Sequence, residues 1–187
     1  MPSLAPAPEE AYTWPLYALA SRLAGTKRFQ ERCGLVYPEP EAEQQLLQGQ
    51  GGQQRIFYPC LREDDFASAR LPCAVIQFGD TWDLLTYAGG EKNHFGPPDG
   101  TLKLILADSD KWNTPTTQAT DFERSARDFA NWVGGVIRDL ADIAGENTNL
   151  SIKRFSQQQP PSMSPKEEQT TLGFIYWTAV FQIEYGV

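Results

Sequence analysis

The last stretch of the chain decides its fold class and reads LGFIYWTAVFQIEYGV over residues 172–187. One register of alternate positions is apolar throughout and contains Ile175, Trp177, Ala179, Phe181, Ile183 and Tyr185. The other register begins apolar, ends polar, and contains Phe174, Tyr176, Thr178, Val180, Gln182 and Glu184. A period of two is typical of a β-strand, because successive side chains point to opposite faces. The stretch therefore predicts a strand with one face in the core and a second face that needs cover over its first half.

A second alternating segment, NLSIKRFS, occupies residues 149–156. The linker between it and the last strand, QQQPPSMSPKEEQ at 157–169, is polar and rich in proline. Two alternating segments that flank such a linker favour a β-hairpin. We predict that 149–156 pairs antiparallel with 171–185 and that 157–169 forms a mobile tip.

The clearest helix signal covers residues 120–144. Apolar residues recur there every three or four positions, in a stripe of Phe122, Ala126, Phe129, Val133, Val136, Leu140 and Ile143. Thr120 and Glu123 have the spacing of a capping box, and Gly145 is placed to end the helix. Opposite charges at i,i+4 spacing indicate a solvent-facing side, with the pairs Glu123–Arg127, Arg124–Asp128 and Arg138–Asp142.

This helix and the last strand are expected to form the core together, with Phe129, Val133, Leu140, Trp177 and Phe181 buried in it. Gly134 and Gly135 lie inside the helix, where each glycine costs about 1 kcal/mol relative to alanine. The two glycines therefore predict close packing or a bend.

The rest of the chain completes a predicted α+β fold. Residues 1–9 are predicted to be a flexible arm, and 10–187 a single domain that begins with a helix ending near Gly25 and a short second piece to Cys33. Further strands are expected at 54–61, 73–78 and 102–107, with 81–87 as a candidate partner of 73–78, and loops are expected at 88–100 and 108–117. The result is a mostly antiparallel sheet of four to five strands, with the long amphipathic helix packed on one face and an N-terminal helix.

Composition limits the function classes. The 187 residues include 41% hydrophobic ones, which is enough for one core, and the net charge is −8. An acidic chain argues against tight binding of nucleic-acid phosphates, and Lys153 and Arg154 are too few to change this. We expect no membrane span and no signal peptide, and three cysteines with one histidine favour reduced thiols without a zinc site.

Few residues suggest catalysis. Asp108 and Asp110 follow an apolar strand, where a metal-binding Asp-x-Asp can occur, but a solvated turn is the favoured interpretation. His94 lies in a Gly- and Pro-rich loop, where a solvent-exposed histidine is the favoured interpretation. We expect that these three side chains do not converge on a metal ion and that the protein is not an enzyme. The alternative from another class is a small metal-dependent hydrolase that uses Asp108 and Asp110.

The order of segments resembles the tail terminator (tail completion) and minor tail proteins of long-tailed bacteriophages and prophages. The similar segments are LPCAVIQFGD at 71–80, TLKLILA at 101–107, FERSARDFANWVGGVIRDL at 122–140, NLSIKRF at 149–155 and FIYWTAVFQIEYGV at 174–187. The resemblance covers roughly residues 55–187 and is one of pattern and element order.

The resemblance implies a structural role without a cofactor. Such proteins form a hexameric ring that caps the tail tube, stops its growth and faces the head connector, so the expected location is the virion tail, and the bacterial cytoplasm during assembly. Six copies would carry about −48 charges, which is compatible with DNA sliding through a ring. Another head-tail joining adaptor is the nearest alternative.

The second face of the last strand is the predicted interface. Aromatic residues are enriched in interface cores, and this face is expected to be covered by the N-terminal helix or by a neighbouring copy. The candidate interface residues are Phe174, Tyr176, Val180, His94, Phe95, Lys153 and Arg154.

Overall fold

A five-stranded sheet with helices on one face organises the protein in a computed structural model that describes residues 14–58, 71–79, 99–109, 119–142, 151–165 and 175–186. The helices are α1 (Trp14–Ala24), α2 (Lys27–Arg32), α3 (Ala42–Leu46) and α4 (Ala119–Asp142). The strands are β1 (Ile56–Phe57), β2 (Cys73–Phe78), β3 (Asp99–Ser109), β4 (Ser151–Pro165) and β5 (Ile175–Gly186).

The sheet has the order β1-β2-β3-β5-β4, and only the β1–β2 pair is parallel. The predicted α+β class, the mostly antiparallel sheet, the long helix and the N-terminal helix are confirmed. The strand predicted at 73–78 matches β2, whereas β1 is shorter than the predicted 54–61. The segments 81–87 and 88–98 lie outside the described residues.

Strand β5 lies inside the sheet, between β3 and β4, and its apolar register belongs to the core that the helices cover. Leu102 is opposite Ile183 and Leu104 is opposite Phe181, all on the face that meets the helices. We call this the inner face and the opposite one the outer face.

Helix α4 packs its apolar stripe on the inner face. The rings of Phe129 and Trp177 stack with centroids 6.1 Å apart, and Trp177 Nε1 donates a hydrogen bond of 2.7 Å to Ser125 Oγ. All five predicted core residues are at most 7% exposed, so the predicted core is confirmed. Helix α4 begins at Ala119, so Thr120 lies within the first turn instead of at the N-cap.

The N-terminal helix covers the inner face as well. Leu16, Leu19 and Leu23 are fully buried in the same cluster as Ile76 and Phe129. Of the two covers expected for the outer face, the N-terminal helix is therefore wrong, and a neighbouring copy stays a prediction. Its apolar stripe packs beside α4, where β1 and β2 extend the inner face.

The predicted hairpin is confirmed, but its tip is not where the sequence indicated. Strand β4 pairs antiparallel with β5 from Ser151 opposite Gly186 to Pro165 opposite Ile175. Residues 157–165 are thus strand rather than loop. Strand β4 is at the edge of the sheet, so one edge of its backbone has no neighbouring strand to bond to. Such an edge strand tolerates polar residues and prolines. The remainder of the predicted tip, 166–169, lies outside the described residues.

Strand β3 is also longer than predicted. Asp99 and Gly100 at one end, and Asp108 and Ser109 at the other, continue the pairing with β5. Residues 99–100 and 108–109 are thus strand, although their Gly, Asp and Ser content indicated that they belong to the loops 88–100 and 108–117. Pairing with β5 keeps these residues extended, although their types do not favour a strand on their own.

Candidate functional site

The outer face of β5 changes character along the strand. Tyr176 and Val180 are half-buried there, with Val180 opposite Ile105, while Glu184 belongs to the polar end. Cys73, Val75 and Ala107 on the same face are fully buried and form a small second core. The outer face is thus fully buried at these residues of β2 and β3 and partly accessible along β5.

The structure brings some of the predicted interface residues together. Tyr176 and Val180 share the outer face of β5. Arg154 is exposed on β4 and lies opposite Glu184, and Lys153 is exposed at the adjoining register shift. The three other predicted interface residues lie outside the described part of the chain, and they are Phe174, His94 and Phe95.

A cluster of charges lies between α2, α4 and the end of β3. Arg32 Nε donates to Asp108 Oδ2 at 2.6 Å, and an Arg32 terminal nitrogen donates to Asp128 Oδ2 at 2.7 Å. The Arg32 guanidinium also lies 5.7 Å from the centroid of the Trp132 ring, within the range of a cation–π contact. We call these four residues the Arg32 cluster.

The position of Asp108 differs from the prediction. It was expected in a solvated turn, but its side chain is 1% exposed and lies on the inner face. Its second oxygen, Oδ1, accepts a hydrogen bond of 2.8 Å from the Ser109 backbone N–H. Both oxygens therefore already have partners within the protein. Asp110 and His94 lie outside the described residues, so their separation from Asp108 stays a prediction.

The sequence contains a signal for this burial. Leu102, Leu104 and Leu106 alternate on the inner face of β3, and a period of two places Asp108 next in the same row. A buried aspartate at the end of such a row requires a cationic partner, because an unpaired buried charge is costly. Nothing in the local sequence identifies Arg32, which is 76 residues away.

A second charged contact fastens α2 to α4. Arg28 binds Asp139 through its guanidinium, and its backbone N–H donates to the same carboxylate at 2.9 Å. Trp132 Nε1 donates to the Arg28 carbonyl at 3.2 Å. A Cβ atom on Gly135 would lie 2.0 Å from Arg28 Cδ, whereas one on Gly134 would meet nothing within 4 Å. Close packing is thus confirmed at Gly135 and absent at Gly134.

An open groove of about 360 Å³ lies over this contact and is lined by Arg28, Glu31, Arg32 and Trp132. Both guanidinium groups already bind carboxylates of α4 or β3. The groove therefore presents no concentrated positive charge to an anionic ligand.

Thiol chemistry is suppressed in the described part of the chain. Cys33 and Cys73 are free thiols, and burial raises the pKa of each to about 12. A protonated thiol is a poor nucleophile and metal ligand. Cys60 lies outside the described residues.

In the six described ranges, no three His, Cys, Asp or Glu side chains are grouped so that they could hold a metal ion. The helices in these ranges include none that is both long and apolar enough to cross a bilayer.

No protein-family model matches this chain, and no curated protein matches it.

Proposed function

We propose that this protein is a structural component of a phage or prophage tail, of the tail-terminator type. It acts without a cofactor, by associating with copies of itself into a closed ring, most simply a hexamer. The ring contacts the tail-tube protein and the head-connector proteins, in the virion tail and, during assembly, in the bacterial cytoplasm. The antiparallel sheet with α4 across one face supports this proposal, since the resemblance of the sequence implies that architecture.

The observation that carries the proposal is the outer face of β5. The inner face of β5 is covered by α4, whereas Tyr176 and Val180 on the outer face of β5 keep part of their apolar surface accessible. Partly accessible aromatic and aliphatic side chains beside polar residues have the composition of an interface core with its rim. A self-associating role would cover the part of this strip that the chain itself leaves accessible.

The edges of the sheet restrict how copies can meet. Strand β4 has three register shifts and carries Pro160, Pro161 and Pro165, and β1 at the other edge has two residues. Bulges, prolines and short edge strands oppose the addition of a further strand. Copies are therefore expected to associate through the outer face and its adjoining loops, and not by extending the sheet.

The hydrolase alternative finds no support at Asp108. A catalytic metal needs carboxylate oxygens that are available as ligands, and those of Asp108 already accept hydrogen bonds from Arg32 and Ser109. The charge of Asp108 instead helps to position α2. This arrangement favours a scaffold over a metal site.

Sedimentation velocity at several concentrations tests self-association. We expect wild-type protein to form species several times heavier than the 20.9 kDa chain, and Val180→Asp to shift them towards the monomer. Ala130→Asp, which adds the same charge at an exposed position of α4, is the matched control and should leave the mass unchanged. Circular dichroism checks that both variants fold. A wild-type protein that stays monomeric at every concentration would contradict the proposal.

Electron microscopy of tails tests the biological role. Deletion of the gene from the phage or prophage that carries it should leave tail tubes of uncontrolled length without heads. Restoring the wild-type gene should recover uniform tails, and restoring Val180→Asp should not. Uniform, headed tails in the deletion strain would exclude the terminator role.

A further inference from the structure

The loop between α2 and α3 exposes a pair of apolar residues near its middle. Val36 is 83% exposed and Tyr37 is 42% exposed, and the adjoining Pro38 and Pro40 are exposed as well. In the described part of the chain, Tyr17 is the one other large apolar side chain that is exposed. We call residues 36–40 the apolar tip. It is distinct from the outer face of β5, because it belongs to the helical layer.

The first end of this loop is fixed by the way α2 terminates. Gly34 has a φ of +87°, a conformation that favours glycine, and its N–H donates to the Glu31 carbonyl at 3.1 Å. The Leu35 N–H donates to the Gln30 carbonyl at 3.0 Å. This pair of bonds is a Schellman motif, and it turns Leu35 towards the core while the next residue points to solvent.

The second end is fixed by a buried side chain. Gln30 is 2% exposed; its Nε2 donates to the Ala24 carbonyl at 2.8 Å, and its Oε1 accepts from the Glu39 N–H at 3.0 Å. Glu39 in turn accepts from the N–H groups of Glu41 and Ala42, both at 3.2 Å. The tip is therefore held at both ends by hydrogen bonds. A preorganised tip loses little conformational entropy when it binds.

The charges around the tip indicate what it binds. Glu41 is exposed beside it and Glu39 is half-buried, whereas Glu31 already pairs with Lys27; the whole chain has a net charge of −8. An acidic rim attracts a basic surface and repels the same rim of another copy. Tyrosine is enriched among residues that dominate binding energy, particularly when it fills a pocket.

We propose that the apolar tip docks into an apolar pocket, rimmed by Lys and Arg, on a different protein. Val36 and Tyr37 fill the pocket, and the glutamates pair with its rim. The inference goes beyond the proposed function, since it does not depend on ring formation or on a phage tail.

Site-specific photo-crosslinking in the cells that naturally express the protein identifies the partner. The photoreactive residue p-benzoylphenylalanine replaces Tyr37 in the full chain, and in a control it replaces Gln44, an exposed position of α3. We expect one different protein to be captured from position 37 and not from position 44. Capture of a second copy, or of nothing, from position 37 would overturn the proposal.

Affinity measurements with the captured protein, once purified, test the chemistry. Val36→Asp should weaken binding by at least about tenfold, since it places an unpaired carboxylate in the apolar pocket. Glu41→Lys should weaken it several-fold, and wild-type binding should decrease as salt rises. Both positions are exposed, so the variants should fold, and Gln44→Lys is the control for charge. Equal affinity of Val36→Asp and wild type, or binding that is insensitive to both salt and Glu41→Lys, would refute the proposal.

Discussion

Helix α4 is held in two different ways on two of its sides. Towards the sheet it presents apolar side chains such as Phe129, Val136 and Leu140, which are at most 1% exposed. Towards α2 it presents Asp128 and Asp139, which bind two arginines. Apolar burial is not directional, whereas an ion pair with hydrogen bonds fixes distance and angle. The difference shows how one helix combines stability with precise orientation.

The two sides differ in their energetic contribution. Each fully buried large apolar side chain contributes about 1.5–3 kcal/mol relative to exposure. A buried ion pair contributes little net stability, because desolvation offsets the attraction, but removing one partner is strongly destabilising. We infer that the sheet side of α4 stabilises the fold and that the α2 side specifies where α2 lies.

The largest effect on the apolar side should come from Trp177. Trp177→Ala should lower the free energy of unfolding by about 3–5 kcal/mol, because the ring stacked on Phe129 is 4% exposed. Denaturant titration measures this loss. A loss below about 1 kcal/mol would mean that α4 does not depend on this contact.

A smaller effect should come from a polar contact within that apolar side. Ser125→Ala removes the acceptor of the Trp177 Nε1 hydrogen bond, and both side chains are buried. The expected loss is about 1–3 kcal/mol, the cost of desolvating a donor that has lost its acceptor. Ser125→Thr, which keeps the hydroxyl, is the control. Equal stability of the Ala variant and wild type would show that the bond contributes nothing.

Gly134 and Gly135 separate the effect of helix propensity from that of packing against α2. Gly134→Ala should stabilise the protein by up to about 1 kcal/mol, because the position is open and alanine favours a helix. Gly135→Ala gains the same propensity but displaces Arg28 from Asp139. Thermal unfolding should therefore place Gly134→Ala clearly above Gly135→Ala. The reverse order would contradict the close packing of α2 on α4.

High pH should weaken the fold gradually. Burial raises the pKa of the Cys33 and Cys73 thiols from 9.0 to about 12, and the hydrogen bond to Glu43 raises the pKa of Tyr17 from 10.0 to about 12. Unfolding above pH 9 thus releases protons, so stability decreases from there towards pH 12.

Denaturation midpoints from pH 7 to 11 check this dependence. A variant with Cys33→Ala and Cys73→Ala should begin its decline later than wild type, because only the phenol of Tyr17 then contributes among these three groups. The same pH profile for both proteins would show that the thiols are not the cause.

The sheet side of α4 could be predicted from the sequence, and the reason is periodicity. Phe129, Val133 and Leu140 recur at helical spacing, and Trp177 and Phe181 recur at strand spacing, so their faces follow from local geometry. Burial of each stripe then requires the two to meet.

The α2 side could not be predicted, because its contacts join distant residues. Asp128 suggested a solvent-facing pair with Arg124, yet it binds Arg32 across 96 residues. Asp128, Trp132, Gly135 and Asp139 do form a second stripe on α4, but charged residues at helical spacing usually face solvent. The outer face of β5 was predicted as a surface in need of cover, and no sequence pattern identifies what covers it.

We infer that Asp108, which is 1% exposed, serves structure rather than catalysis. Arg32→Met leaves Asp108 buried without its cation and should cost about 3–5 kcal/mol. Lys27→Met, which breaks an exposed 3.8 Å pair with Glu31 on the same helix, is the matched control and should cost less than about 0.5 kcal/mol.

The most direct measurement is a double-mutant cycle of unfolding free energies for Arg32→Met and Asp108→Asn. If the two residues form a structural pair, the double variant should lose less than the sum of the single losses, by at least about 1 kcal/mol. Additive losses, with Arg32→Met no worse than Lys27→Met, would contradict the claim and return Asp108 to consideration as a catalytic carboxylate.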